Sequence, residues 1–79
     1  MANLLDLTPR EREILKRVLA GRTNKAIAYE FNITEKTVEF HLDRIYTKIG
    51  HRSRLMAGIW AMQQGIEVES GEIPRFLTD

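Results

Sequence analysis

The chain has no cysteine, which excludes a disulfide framework, a cysteine-ligated zinc site and a thiol nucleophile. No apolar run approaches the roughly 20 residues that a membrane-spanning helix needs, and the N-terminus lacks a signal-peptide pattern. The sequence also lacks a nucleophile–base pair, a phosphate-binding loop and a cluster of metal ligands. We therefore expect a cytoplasmic protein without a cofactor, a metal or a membrane contact, and not an enzyme.

The charge is unevenly distributed along the 79 residues, which give room for one domain with one small core. The formal net charge is only +1, but residues 66–79 carry a net charge of −3 and the first 65 residues a net charge of +4. This shift predicts a folded domain over residues 1–65 and an acidic tail over residues 66–79 that is partly ordered at most.

One stretch contains four cations with no acidic residue between them: Arg44, Lys48, Arg52 and Arg54. A basic cluster on a folded domain is typical of a phosphate-binding surface. Because such clusters are also common on other protein surfaces, this signal alone is weak.

Capping residues and apolar spacing predict four helices. The first begins after Thr8, whose capping box is completed by Glu11, and it ends at Gly21. The second is short and is capped by either Thr23 or Asn24.

A tight connection at Asn32 and Ile33 then leads to the third helix, predicted over residues 34–49 with Thr34 as its N-cap. Its inward stripe is predicted to be Val38, Leu42, Ile45 and Ile49. The fourth helix begins at Ser53 and is closed by Gly65. A short helix, a tight turn and a longer capped helix indicate a helix-turn-helix, although a generic helical bundle would show the same caps and stripes.

The order of the motifs resembles the LuxR-type (GerE-like) helix-turn-helix domain. The residues that carry the likeness are LTPREREIL (7–15), Gly21, NKAIA (24–28), TEKTVEFH (34–41), KIG (48–50) and Ser53-Arg54. The likeness covers about residues 4–66 without an insertion. It implies an all-α, tetrahelical DNA-binding domain of a bacterial transcription regulator, here with a short C-terminal extension. In that family the domain often follows a receiver or ligand-sensing domain and commonly dimerises through its fourth helix.

The side of the third helix opposite its apolar stripe is predicted to face the bases of double-stranded DNA in the major groove. The base-facing residues are Lys36, Glu39, Phe40 and Asp43. A carboxylate can accept a hydrogen bond from the cytosine amino group, and Phe40 can contact a thymine methyl group. The family most often has a basic residue at the position of Glu39. The alternative is that Glu39 and Asp43 pair with neighbouring side chains (Lys36, Arg44 or Thr47) on a solvated face.

Contacts with phosphates are predicted from residues that flank the groove, and such contacts fix the register without reading the sequence. These residues are Asn24, Lys25, Thr34, Thr37, Arg44 and Lys48. The resemblance places Lys48 at a basic position of the family, whereas Arg10 and Glu11 are expected to cap or to form salt bridges.

Met56 and Trp60 are predicted to form an exposed apolar strip on the fourth helix that mediates a homodimer; the alternative is that Trp60 completes the core. A two-fold dimer would place its recognition helices about 34 Å apart. RNA polymerase and an upstream signalling domain are further expected partners. Two other functions stay open: a protein-interaction module with the same fold and little DNA affinity, and a promoter-recognition domain of the sigma-factor type.

Overall fold

A computed structural model describes residues 2–66, and all regular structure within that range is helical. The elements are a single turn of 3-10 helix at Leu4–Asp6, α1 at Pro9–Leu19, α2 at Asn24–Phe31, α3 at Glu35–Ile49 and α4 at Arg54–Gln63. The prediction of an all-α domain with four helices is therefore confirmed. The predicted acidic tail lies outside the described residues, except for Ile66, which packs against the core.

The 3-10 turn at Leu4–Asp6 was not predicted, although its signal is present in the sequence. The side chain of Asn3 accepts a hydrogen bond from the Leu5 amide, and the Asp6 carboxylate accepts one from the Asn3 amide, each at 2.8 Å. This reciprocal arrangement is a capping box like that of α1, displaced by five residues.

Each of the four α-helices begins after a hydroxyl side chain that accepts a backbone N–H of the first turn, at 3.0–3.1 Å. The N-caps are Thr8, Thr23, Thr34 and Ser53. Such a cap stabilises a helix by about 1 kcal/mol relative to alanine. The second helix is thus capped by Thr23, and Asn24 is its first helical residue.

The connection between α2 and α3 depends on a left-handed residue. Asn32 has φ 56° and ψ 46°, which ends α2 and turns the chain toward α3. Ile33 follows with its side chain packed against the core, and Thr34 then caps α3. The predicted turn is confirmed, and its three residues determine the orientation of α3 relative to α2.

The core lies where α1 packs against α3 and α4, and where α2 packs against α3. The predicted inward stripe of α3 is confirmed, since all four of its residues are buried with the apolar face of α1. Burial of such side chains contributes roughly 25 cal/mol for each Å² removed from water. Within residues 2–66 no helix is both long enough and apolar enough to span a membrane.

The predicted exposure of Trp60 is wrong. Its side chain is only 7% exposed and belongs to the core. Ala57 and Ala61 are buried on the same side of α4, and their small side chains allow the helix to approach the body of the domain closely. Met56, by contrast, is 42% exposed, so the two residues do not form one exposed strip.

Candidate nucleic-acid interface

The helix-turn-helix consists of α2, the turn at residues 32–34 and α3. With 15 residues, α3 is about 22 Å long, which is enough to cross a major groove. Because its apolar stripe is buried against the rest of the domain, the opposite side is free to enter a groove.

That opposite side carries the predicted base-facing residues, all four of which are exposed: Lys36, Glu39, Phe40 and Asp43. The ring of Phe40 is 58% exposed, so an apolar surface lies in the middle of a polar helix face. A groove of 390 Å³ runs beside it, lined by Phe40, Asp43, Arg44, Thr47 and Lys48. The structure thus brings the predicted residues onto one surface, and their contact with bases stays a prediction.

The alternative, in which Glu39 and Asp43 pair on a solvated face, is found among the described residues only for Asp43, and with Arg52 as its partner. Asp43 Oδ1 lies 3.5 Å from Arg52 Nη2, and both side chains are strongly exposed. Thr47 donates its hydroxyl to the backbone carbonyl of Asp43 rather than to the carboxylate. Within the described part of the chain Glu39 and Lys36 take part in no ion pair. An exposed pair such as Asp43–Arg52 contributes at most about 1 kcal/mol.

Glu11 is the centre of a charged cluster behind this surface. Its side chain is only 2% exposed. Oε1 accepts the Thr8 amide at 2.9 Å and Lys48 Nζ at 2.7 Å, and Oε2 accepts Arg44 Nε at 3.4 Å. The expectation that Glu11 caps or forms a salt bridge is confirmed, since it does both.

The pKa of Glu11 reflects this cluster. Burial opposes ionisation, but hydrogen bonds from Lys48, the Thr8 amide and Arg44 outweigh it and hold the pKa below its ordinary value of 4.5. The carboxylate is therefore charged at neutral pH and ties the start of α1 to the second half of α3.

The partnership of Glu11 with α3 was missed from the sequence. A signal for it exists, because Glu11 stands three residues before Ile14 and four before Leu15, on the apolar face of α1. An acidic residue at such a position is buried and needs cationic partners. Which cations supply them depends on the packing of α1 against α3.

Other predicted phosphate contacts also have partners within the protein. Asn24 Oδ1 accepts Arg54 Nη1 at 2.7 Å, and Arg54 also donates to the carbonyl oxygen of Arg22. The hydroxyls of Thr34 and Thr37 are 2.9 Å apart and hydrogen-bonded to each other. Lys25, in contrast, is exposed on α2 and is in no ion pair among the described residues.

The basic stretch of the sequence is consequently divided in three dimensions. Arg44 and Lys48 donate hydrogen bonds to Glu11, and Arg52 donates one to Asp43. Arg54 donates to Asn24 and so joins the start of α4 to the start of α2. Arg44 keeps 53% of its side chain exposed and Lys48 keeps 29%. Contact with phosphate is therefore more open to Arg44 than to Lys48.

The domain is a helix-turn-helix domain. Its short α2 and longer, capped α3 are joined by a three-residue turn, and α3 has an exposed polar face. The model for bacterial regulatory proteins of the luxR family matches residues 5–61. The chain belongs to this family of DNA-binding transcription regulators.

Several curated proteins are similar over most of the chain. The nitrate/nitrite response regulator protein NarL of Escherichia coli (strain K12) is 45% identical over 60 residues, 76% of this chain and 28% of its own length. The transcriptional regulatory protein LnrK of Bacillus subtilis is 43% identical over 65 residues, 82% of this chain and 30% of its own length. The response regulator Rre1 of Synechocystis is 39% identical over 62 residues, 78% of this chain and 27% of its own length. The chain thus spans less than a third of each of these relatives.

Proposed function

We propose that the domain binds double-stranded DNA sequence-specifically as part of a transcription regulator, with α3 in the major groove. The observation that carries the proposal is the exposed face of α3 in a domain of the luxR family. A helix-turn-helix places its second helix in the major groove, where each base pair presents a distinct pattern of donors, acceptors and methyl groups.

Bases are read by the middle of α3 in this proposal. Lys36, in the first turn of α3, donates to a guanine edge, Phe40 packs on a thymine methyl group, and the carboxylates of Glu39 and Asp43 accept from cytosine amino groups. Because two carboxylates oppose the phosphate field, they contribute to specificity rather than to affinity. The absence of an ion pair to Glu39 within the described residues leaves its carboxylate available for such a contact.

Affinity comes from the flanks of the groove. Lys25 and Arg44 are the most available of the proposed phosphate contacts. Lys25 is exposed and in no ion pair among the described residues, and Arg44 keeps 53% of its side chain exposed although its Nε donates to Glu11. The amide group of Asn24, the hydroxyls of Thr34 and Thr37, and Lys48 complete the set from positions that are already engaged within the protein. Such engaged groups position the domain on the backbone without large motions.

A homodimer through α4 is the proposed binding form. Its exposed apolar residues are Leu55, Met56 and Met62, and Trp60 is excluded because it is buried. A two-fold dimer reads two half-sites about ten base pairs apart, centre to centre. We place this activity in the cytoplasm, where bacterial DNA lies. RNA polymerase and a linked signalling domain are the proposed further partners, and two relatives, NarL and Rre1, are response regulators by name.

Selection from a pool of random duplexes tests the proposal. The expected result is an enriched motif with two related half-sites, bound with a log affinity that falls linearly with log salt concentration. A duplex with the two half-sites scrambled serves as the control and should bind at the level of the unselected pool.

A second candidate function is a protein-interaction module with the same fold. The exposed carboxylates of Glu39 and Asp43 on α3 favour it, because acidic side chains weaken the attraction to phosphate. If no duplex is enriched and none binds at low salt, the DNA proposal is wrong and this second function takes its place.

A further inference from the structure

The guanidinium of Arg44 is held from two sides before any ligand is bound. Its Nε donates to Glu11 Oε2 at 3.4 Å, and its Cζ lies 5.7 Å from the centroid of the Phe40 ring. Within the described residues neither of its terminal NH₂ groups donates a hydrogen bond to the protein. The side chain is half exposed and lines the groove on α3. It therefore offers its two NH₂ groups to a ligand in a fixed plane.

The carboxylate that holds Arg44 is itself fixed. Glu11 is buried, and its other oxygen accepts both the Thr8 amide and Lys48 Nζ. Because the Thr8 amide belongs to the N-cap of α1, the carboxylate plane is tied to the backbone. The position of the guanidinium on α3 is thus determined by a residue on another helix.

We infer that Glu11 is a positioning residue for DNA recognition, which holds Arg44 so that its two NH₂ groups meet the DNA in one register. The inference rests on the proposed function and deepens it. Glu11 does not touch the DNA; it acts through Arg44. A guanidinium that is ordered beforehand loses less freedom on binding, and a fixed fork fits a phosphate or a guanine edge only in one placement. The loss of Glu11 therefore reduces the discrimination between duplexes more than it reduces the overall affinity for DNA.

Two simpler roles for Glu11 predict different behaviour. If Glu11 acts only through its negative charge, removal of that charge tightens the binding of all duplexes equally. If it acts only in stability, its substitution lowers the melting temperature and leaves the ratio of the two dissociation constants unchanged. The ratio is the dissociation constant of a random duplex divided by that of the selected duplex. A fall in this ratio therefore distinguishes the positioning role from the charge role and from the stability role.

The test compares Glu11→Gln with the wild type by two measurements. Glutamine keeps the oxygen that accepts the Thr8 amide but lacks the charge that holds the cations. The first measurement, without DNA, is the exchange with water of the Arg44 Nε–H by NMR, assigned by its disappearance in Arg44→Lys. We expect exchange about five-fold faster in Glu11→Gln, because the carboxylate oxygen that accepts the Arg44 Nε–H is replaced by an amide NH₂ group, which cannot accept it. The second is the ratio of dissociation constants, which should fall about five-fold, as expected for the loss of one oriented contact.

Glu30→Gln is the matched control. Its carboxylate also pairs with an arginine, with Oε2 2.6 Å from Arg17 Nη2, but it joins α2 to α1. No ion pair or hydrogen bond joins it to Arg44 among the described residues. It should leave both the Arg44 exchange rate and the ratio unchanged. Glu11→Asp is a second variant in case Glu11→Gln does not fold. It keeps the charge but withdraws the carboxylate by one methylene, so the ratio should fall without a general tightening.

If the Arg44 Nε–H exchanges at the wild-type rate in Glu11→Gln and Glu11→Asp, the inference is overturned, regardless of the DNA-binding result. Faster exchange with an unchanged ratio would overturn it as well, since Arg44 would then be held without consequence for recognition. If the wild type selects no motif, the proposed function fails and the inference fails with it. If the wild type selects a motif but Glu11→Gln and Glu11→Asp keep the wild-type ratio of dissociation constants, only the inference fails.

Discussion

Lys48 Nζ lies 2.7 Å from Glu11 Oε1, although the two residues are 37 positions apart in the chain. The contact joins a residue of the capping box of α1 to the last turn of α3. The Lys48 ammonium group therefore has two competing partners: the buried Glu11 carboxylate within the domain and the phosphates of the proposed DNA ligand. Glu11 must be considered in any interpretation of a Lys48 variant, since removal of Lys48 leaves the buried carboxylate with Arg44 and the Thr8 amide.

The stability of the domain should depend on pH through Glu11. A carboxyl group whose pKa is lowered in the folded state contributes stability above its unfolded pKa, here near 4.5, and loses that contribution as the pH falls through the folded value. Glu11→Gln should therefore be less stable than the wild type by about 1–3 kcal/mol at pH 7. The difference should shrink below about pH 4.5, as measured by urea unfolding across that range.

Glu39→Gln is the control for this pH dependence, because Glu39 is exposed and pairs with no cation among the described residues. Its unfolding free energy should follow that of the wild type within about 0.5 kcal/mol at each pH. A deficit of Glu11→Gln that is equal at all pH values would show that the charge of Glu11 is not the source of its contribution.

Trp60 should behave as a core residue. Trp60→Ala is expected to lower the free energy of unfolding by about 3–5 kcal/mol, because it leaves a large cavity between α4 and the rest of the domain. Chemical denaturation monitored by circular dichroism measures the loss. Gln63→Ala, at an exposed position of the same helix outside the proposed dimer surface, should cost no more than about 0.5 kcal/mol. Similar small losses for both variants would contradict the buried position of Trp60.

Most of the fold was predictable because its signals are local. The hydroxyl caps, the left-handed Asn32 and the inward stripe of α3 each act within a few residues. The position of Trp60 was not predictable in this way. On a helix with apolar residues on several sides, as in α4, which side is buried depends on how the small residues Ala57 and Ala61 allow the helix to approach its neighbours.

The exposure of the candidate residues on α3 was predictable, but the contacts of Arg44 and Lys48 within the protein were not. The exposed side of α3 follows from the spacing of the buried stripe, and Lys36, Glu39 and Phe40 are exposed on it as expected, while their contact with DNA stays a prediction. The partners of Arg44 and Lys48 were missed, because they come from a helix more than thirty residues earlier. Long-range pairs of this kind depend on tertiary packing, which a pattern of spacing does not contain.

Lys25 should contribute to affinity for every duplex alike. Lys25→Ala removes an exposed cation that is in no ion pair among residues 2–66. The negative slope of log affinity against log salt should become shallower by about 0.9, the value for one phosphate contact. Fluorescence anisotropy at several salt concentrations measures this slope, and Lys16→Ala on α1, outside the proposed DNA surface, should not change it. A loss confined to one sequence would mean that Lys25 reads a base.

Glu39 should set the preference at one base position. If its carboxylate accepts a cytosine amino group, Glu39→Ala relaxes the selected motif at that position and leaves the others intact. Repeating the duplex selection with the variant measures the change. Glu13→Ala is the matched control, since Glu13 lies on α1 and pairs with Arg17. An unchanged motif with Glu39→Ala would leave Glu39 as a surface charge.

Met56 gives the sharpest test of the proposed dimer, because its substitution does not disturb the core. Its side chain is exposed on α4, so Met56→Glu should fold normally while placing a charge in an apolar interface, where it is desolvated without a partner. Sedimentation should then show a monomer at concentrations at which the wild type dimerises, and binding of the two-half-site duplex should weaken toward that of a single half-site. Leu5→Glu introduces the same charge at an exposed apolar position in the 3-10 turn and should leave the dimer intact. If Met56→Glu sediments like the wild type, the dimer uses another surface, and the spacing of half-sites must be explained from that surface instead.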